Sequence, residues 1–172
     1  YAEDDTRDGM IPSGKQCAQY HSRGCSYTRT TGIWQTVWME FMPETCIKGV
    51  KYYPNIADTS VTVEANLIGS GAFACEIFFD GKAMGSYSCD NAAGRITFNV
   101  PLAEEHLWEA GKGNLYDVHF TFGEDKADSY FGLRQVRLEG MKFLINNKSV
   151  FQRLILDQGF YPDGIYTAPT DA

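Results

Sequence analysis

Apolar and polar side chains alternate along much of this chain with a period of two residues. Five runs show the pattern, at residues 33–41, 61–67, 73–79, 96–100 and 116–122. Because successive side chains of a strand point to opposite faces of a sheet, such runs predict half-buried β-strands. Helical periodicity is nearly absent, and the one helix-like stretch, residues 102–109, is too short to change this prediction.

Residues with turn chemistry separate the apolar runs. Asp80-Gly81 and Asn146-Asn147 each lie between two such runs, as the two-residue loop of a hairpin requires. Gly69-Ser70-Gly71 separates two further runs. The chain is therefore predicted to be all-β, with residues 46–139 forming a seven-stranded antiparallel β-sandwich that has short flanking segments.

Composition and charge narrow the classes of function. Hydrophobic residues make up 44% and charged residues 22% of the 172 residues, which is the balance of a folded globular domain. The 15 basic and 22 acidic residues give a net charge of −7, and the basic residues form no stripe. Nucleic acid and anionic membrane surfaces are therefore not expected partners. No run of about 18 apolar residues occurs, so no membrane-spanning helix is predicted.

Motifs that would carry chemistry are scarce. The five cysteines are odd in number and include no CxxC spacing, so we interpret them as free thiols in a reducing, cytoplasmic compartment, with a Cys75–Cys89 bridge as the alternative. The three histidines form no HExxH motif, and no GxSxG, GxGxxG or P-loop sequence is present. The sequence therefore predicts neither a metal site nor a cofactor.

Three stretches, taken in order, carry a family resemblance. Residues 27–38, which read YTRTTGIWQTVW, resemble the last strand of a sugar-binding jelly roll. Leu107-Trp108 followed by Leu115-Tyr116 resembles the pattern before the penultimate strand of an immunoglobulin-like domain. Phe131-Gly132-Leu133-Arg134 leading to residues 143–148 resembles the crossing into a catalytic (β/α)8 barrel. Together they resemble glycoside hydrolase family 2, the group of β-galactosidases, β-glucuronidases and β-mannosidases.

The resemblance implies three parts. Residues 1–44 would be the C-terminal part of the jelly roll, residues 45–139 the immunoglobulin-like domain, and residues 140–172 the truncated start of the barrel. The parent protein would hydrolyse terminal β-glycosides with retention, through two glutamates beyond residue 172. This chain alone is thus expected to be a non-catalytic structural fragment of an enzyme of carbohydrate metabolism. The family's Asn-Arg-His-like run is replaced here by Leu156-Asp157-Gln158, which leaves the substrate open.

The resemblance also implies residues that would contact the carbohydrate substrate in the full-length enzyme. They are Asp5, Arg29, Asp157, Gln158 and Tyr161. Each acidic or basic member has an alternative: Asp5 could lie in a solvated linker, Arg29 could form a surface ion pair, and Asp157 could stabilise a turn. The adjacent Glu104 and Glu105 are expected to face solvent instead of forming a catalytic pair.

A different class of function stays open at this point. The chain could be a stand-alone carbohydrate-binding or adhesion module of immunoglobulin type, which an exposed aromatic platform on one sheet would favour. If it is an enzyme fragment, apolar surface around Trp34, Trp38, Phe151 and Phe160 should be exposed. The chain is then expected to self-associate, in part through the open edge of the predicted 32–41 strand.

Overall fold

The computed structural model describes residues 16–17, 19, 21–27, 33, 36–156, 161 and 167–170. This part of the chain contains eight β-strands and no helix, so the predicted all-β class is confirmed. The strands are β1 (Cys46–Asn55), β2 (Ser60–Phe79), β3 (Lys82–Pro101), β4 (Tyr116–Phe122), β5 (Asp125–Phe131), β6 (Val136–Glu139), β7 (Lys142–Ile145) and β8 (Lys148–Ser149). Within the same residues, no helix is long and apolar enough to span a membrane.

A five-stranded sheet is built on one long hairpin, β2–β3, which changes register in its middle. β1 pairs with the first half of β2, β4 pairs with the second half, and β5 pairs with β4, all antiparallel. The register of β2 against β3 shifts between Asn66 and Ser70. The sequence predicted a break at residues 69–71, whereas β2 is continuous there. Gly69 has a φ of +83°, and a Cβ at this position would lie 2.8 Å from Thr45 Oγ1, so this turn of the strand requires glycine.

The two halves of the hairpin belong to facing layers of an immunoglobulin-like sandwich. One layer holds β1, the first half of β2 and the last half of β3; the other holds the remaining halves with β4 and β5. The ring of Phe98 in the first layer lies 4.0 Å from Tyr87 and 5.7 Å from Phe73 in the second. When the two halves of β2 and of β3 are counted as separate strands, residues 46–131 contain the predicted seven strands. Residues 136–139, which were predicted to belong to the sandwich, pair with β7.

The core lies between these layers and follows the predicted alternation. In β4, Tyr116, Val118, Phe120 and Phe122 are buried, and the residues between them are exposed. The apolar positions of residues 61–67 and the positions 73, 75 and 77 are buried as well. Burial of one face of every central strand is what the period of two predicts for a sandwich.

Tyr116 closes the corner between β3 and β4. Its hydroxyl donates a hydrogen bond to the Glu104 carbonyl at 2.8 Å and accepts one from the His106 amide at 2.8 Å. A tyrosine at the start of this strand that bonds to backbone upstream is a hallmark of immunoglobulin-like sandwiches. The bonds fix the backbone of Glu104 and His106, in the irregular segment between β3 and β4, to the start of β4.

The remaining strands, β6, β7 and β8, form a separate three-stranded antiparallel sheet. The predicted hairpin turns are confirmed here and in the sandwich. Asn146 and Asn147 have φ values of 50° and 63°, and Asp80 and Gly81 have values of 49° and 75°. Two consecutive positive φ values define the type I′ turn, whose twist matches that of the flanking strands.

The strand predicted over residues 33–41 is wrong for the described part of that run. Ile33 and residues 36–43 form no strand, and Phe41 is 94% exposed. Alternation gives a segment one apolar face, but the segment forms a strand only when the backbone of another strand pairs with it. No described residue does so here.

Two further observations concern the cysteines and the units of the chain. All five cysteines lie among the described residues and all are free, so the alternative of a Cys75–Cys89 bridge is wrong. In the ladder Cys75 faces Tyr87, and Cys89 faces Phe73. The chain divides into two compact units, residues 41–153 and residues 1–40 with 154–172. The boundaries at residues 44 and 139 stay predictions.

Candidate functional site

The substrate-contact residues implied by the family resemblance fall largely outside the described part of the chain. Asp5, Arg29, Asp157 and Gln158 lie outside it, so their roles stay predictions. Tyr161 is described and is partly buried. The described structure therefore brings none of the five together, and the site has to be built from other residues.

A groove of about 620 Å³ opens at one end of the sandwich, within residues 41–153. It is lined by residues of β1, of β5, of the start of β6 and of the two irregular segments that follow β3 and β5: Tyr52, Pro54, Trp108, Leu115, Tyr130, Phe131, Gly132, Arg134 and Val136. Such a volume lies within the range of about 300–1,000 Å³ that is usual for small-molecule sites. Four of the nine lining residues are aromatic, so the groove presents flat apolar faces.

Trp108 lines the groove, and the chain after β5 passes directly against it. The Trp108 amide donates to the Leu133 carbonyl at 3.0 Å, and Leu133 is fully buried. A Cβ on Gly132 would lie 3.1 Å from the Trp108 Cβ. A larger residue at position 132 would therefore have to displace the Trp108 side chain by a few tenths of an ångström, which favours glycine there.

Arg134 lies over the ring of Trp108, with its guanidinium carbon 4.4 Å from the ring centroid. This stacking orients the planar guanidinium and leaves its N–H edges free of the ring. No carboxylate in the described residues pairs with Arg134, and no hydrogen bond from its guanidinium is found there. The groove thus carries one oriented positive charge.

Asn146 joins the small sheet to this end of the sandwich. The side chain is 7% exposed; its Nδ2 donates to the Trp108 carbonyl at 2.9 Å and its Oδ1 accepts from the Gln135 amide at 3.0 Å. Lys148 adds an ion pair to Glu109 at 3.0 Å. The β7–β8 turn is therefore fixed to the segments that carry Trp108 and Arg134. We call this set of contacts the joint.

Two of the lining residues, Tyr52 and Phe131, belong to a stack of three rings. Tyr52 stacks on Phe131 at a centroid distance of 5.2 Å, and Phe131 stacks on Tyr116 at 5.1 Å. Burial raises the pKa of the Tyr52 hydroxyl to about 12, and the neighbouring Ser129 side chain opposes this shift in part. Tyr52 therefore stays neutral at physiological pH and acts as a wall, not as an acid or base.

The geometry does not supply glycosidic chemistry in the described residues. A retaining glycosidase needs two carboxyl groups about 5–5.5 Å apart. No carboxylate lines the groove, and no group of three possible metal ligands occurs in the described part. Glu105 is exposed, as expected. Glu104 pairs with Lys82 and His106, and these hydrogen bonds lower the pKa of its carboxyl group.

Sequence reasoning singled out Trp108 and Arg134 as motif residues but did not predict that they stack, and it missed Asn146 as an anchor. The stacking joins positions 26 residues apart in the chain, and the Asn146 bond joins positions 38 apart. The local sequence predicted a turn at Asn146, which is correct, but carried no signal for the partner of its side chain.

The comparisons with known proteins agree with this fold. No protein-family model matches the chain. A β-galactosidase from Leuconostoc mesenteroides is 24% identical over 149 aligned residues, covering 73% of this chain and 14% of that protein. A β-glucuronidase from Ruminococcus gnavus in complex with C6-substituted uronic isofagomine superposes with a TM-score of 0.60 at 18% identity, covering 73% of this chain and 22% of that one. Another crystal structure of that β-glucuronidase gives a TM-score of 0.53 at 20% identity, covering 65% and 20%.

The predicted resemblance is thereby confirmed, in sequence to a β-galactosidase and in fold to a β-glucuronidase. The chain spans only 14% of the length of the curated relative that it matches. The matching region is consequently a minor part of that enzyme.

Proposed function

We propose that this chain is a non-catalytic scaffold segment of a glycoside hydrolase that resembles β-galactosidases and β-glucuronidases. The observation that carries the proposal is the joint: Asn146 and Trp108 fix the small β6–β8 sheet to one end of the sandwich. A sandwich with a rigid joint can hold a neighbouring domain of the same protein at a set position. Its sequence and fold match a short part of much longer glycoside hydrolases, which supports the same assignment.

In this proposal the carbohydrate is cleaved by residues of the parent protein that lie outside this chain. Hydrolysis of a terminal β-glycoside proceeds with retention, through one carboxylic acid and one carboxylate. Asp5, Arg29, Asp157, Gln158 and Tyr161 contact the substrate from this chain once the parent is assembled. The parent acts in the cytoplasm, where the five free cysteines stay reduced.

The rigidity of the joint matters because catalytic groups must be positioned within fractions of an ångström. A displacement of about 1 Å can lower a rate by about a hundredfold even when the change lies far from the chemistry. A scaffold that carries substrate-contacting loops therefore needs buried, geometrically specific contacts such as those of Asn146. Surface ion pairs alone would contribute only about 0–1 kcal/mol each.

Initial rates of hydrolysis test this proposal. The purified 172-residue chain and the full product of its gene should be compared at equal molar concentration on p-nitrophenyl β-galactoside and β-glucuronide. We expect turnover by the full product and none by the chain. Turnover by the chain that is lost in Asp157→Asn would contradict the proposal, and so would a full product inactive on a broad panel of β-glycosides.

A further inference from the structure

Arg134 differs from the other arginines of the sandwich and the small sheet. Arg95 lies 3.8 Å from Glu64 and bonds Asn66, and Arg137 lies 3.2 Å from Glu139 and bonds Asn147. Arg134 has no such partner in the described residues, although the chain carries a net charge of −7. Within the described part of the chain, the Trp108 ring holds the guanidinium.

The position of this unpaired charge is also specific. Arg134 lines the 620 Å³ groove, and the other residues that line it are uncharged. Tyr130, on the same groove, is 65% exposed and therefore offers a ring face to a ligand. A guanidinium fork that is already oriented loses little conformational freedom when it binds a planar anion through two parallel hydrogen bonds.

We propose that this groove is an accessory binding site for a sugar ring that bears a carboxylate, that is, a uronic acid residue of a glycan. The carboxylate pairs with the free edge of Arg134, and the apolar face of the ring lies on Tyr130. A neutral sugar would leave the oriented guanidinium unpaired, and a small aliphatic carboxylate would leave the aromatic walls uncovered. The groove has no carboxylate among its lining residues, so it binds such a sugar without cleaving it.

The test uses the 172-residue chain and isothermal titration with methyl β-D-glucuronide, with methyl β-D-glucoside as the neutral counterpart. We expect saturable binding of the glucuronide, and binding of the glucoside weaker by about tenfold or more, since hydrogen bonds to charged groups discriminate by at least that factor. Arg134→Gln should weaken glucuronide binding to the level of the glucoside. Arg137→Gln, which removes an exposed arginine that lies outside the groove, should leave it unchanged.

A second variant separates a lost contact from a lost fold. Tyr130→Ala changes an exposed side chain and should weaken both sugars, while the thermal unfolding midpoint stays close to that of the parent chain. Glutarate serves as a competitor that carries a carboxylate but no ring. If glutarate competes at the same concentration as the glucuronide does, the groove binds carboxylates of any kind, including those of protein segments. That result would overturn the sugar assignment.

Equal binding of the glucuronide and the glucoside would also overturn the proposal, as would no saturable binding of either sugar. Unchanged binding in Arg134→Gln would do the same. None of these outcomes bears on the scaffold proposal, because that proposal is read from the hydrolysis assay on the full gene product. The two proposals therefore stand or fall separately.

Discussion

The sandwich and the segment that precedes it both alternate apolar and polar residues. The apolar side chains compared here are buried in the sandwich and exposed in the segment. Phe120, in the run of residues 116–122, is 1% exposed, whereas Phe41, at the end of the run of residues 33–41, is 94% exposed. Trp38 in that segment and Phe151 after the small sheet are exposed by 73% and 87%, as predicted for both. Trp34 and Phe160, named with them, lie outside the described residues.

The difference shows what alternation does and does not indicate. Alternation marks an apolar face that has to pack against another part of the protein. For Phe120 that part is the opposite layer of the sandwich. The described chain offers no partner for Phe41 or for Ile155, which is 93% exposed. A run of exposed large apolar side chains, such as Leu154 to Leu156, is typical of surfaces that another domain or molecule covers. The two regions therefore differ in whether the chain itself completes their packing.

Substitution of one phenylalanine in each region should give the largest contrast. Phe120→Ala removes a ring that contacts Phe73 and Tyr52, and is expected to lower the free energy of unfolding by about 3–5 kcal/mol. Phe41→Ala removes an exposed ring and should change it by less than about 0.5 kcal/mol. Urea denaturation measures both. Similar losses in the two variants would show that the segment before β1 packs against the sandwich in solution.

The joint gives a second contrast, between two asparagines of the same turn. Asn146→Gly keeps the positive φ but deletes two buried hydrogen bonds, so we expect a loss of about 2 kcal/mol. Asn147→Gly also keeps the positive φ and deletes one exposed bond, from Arg137, so the loss should be a few tenths of a kcal/mol at most. The midpoints of chemical denaturation compare the two variants. Equal losses would mean that the turn contributes only its backbone shape.

The apolar segments should drive self-association, an effect we expect to be smaller. Ile155→Glu places a charge on the exposed segment 151–156 and should raise the dissociation constant for self-association by about tenfold, which corresponds to about 1.4 kcal/mol. Leu138→Glu, on the exposed face of β6, is the matched control and should have no effect. Sedimentation velocity over a concentration series measures this. A chain that stays monomeric throughout would contradict the prediction.

Alkaline pH should weaken the sandwich through buried acids, which the exposed segments lack. Burial raises the pKa of the Cys75 thiol to about 12, above its ordinary value, so the neutral form stabilises the fold. This contribution is complete below about pH 8.5 and is lost as the pH rises toward 12, at about 1.4 kcal/mol per pH unit. Tyr52 adds to the loss above about pH 10.

Thermal unfolding at about pH 8 and about pH 10 tests this loss of stability at alkaline pH. The two values lie on either side of the pH at which the thiol begins to ionise in the unfolded chain. Cys75→Ala should show a smaller drop in midpoint between the two pH values than the parent chain does. Cys25→Ala removes an exposed thiol and should show the same drop as the parent. If Cys75→Ala retains the full drop, the loss arises from groups other than this thiol.

The sequence predicted those features that depend on neighbouring residues. The alternation of Val61 to Leu67, the core face of β4 and the two type I′ turns are all present. A hairpin turn is encoded by residues that tolerate positive φ, such as Asn146 and Asp80, and so can be recognised locally. Two errors, the strand at 33–41 and the break at residues 69–71, concern pairing, which depends on distant residues.

The candidate site was less predictable for the same physical reason. Arg134 lies over Trp108 only because the chain after β5 returns to the loop that precedes β4. The buried amide of Asn146 finds Trp108 through the same return. Contacts of this kind follow from the tertiary fold, and composition or spacing does not encode them. Family resemblance marked Trp108 and Arg134, but their interaction emerged from the structure.

Hydrogen–deuterium exchange, read by mass spectrometry in the 172-residue chain and in the full product of its gene, tests the central claim most directly. The claim is that the sandwich is complete in itself and that the exposed segments pack only within a larger glycoside hydrolase. We expect peptides from β2 and β4 to be equally protected in both proteins, and peptides covering residues 36–43 and 151–156 to exchange at once in the chain but slowly in the full product. Rapid exchange of those two segments in both proteins would contradict the account.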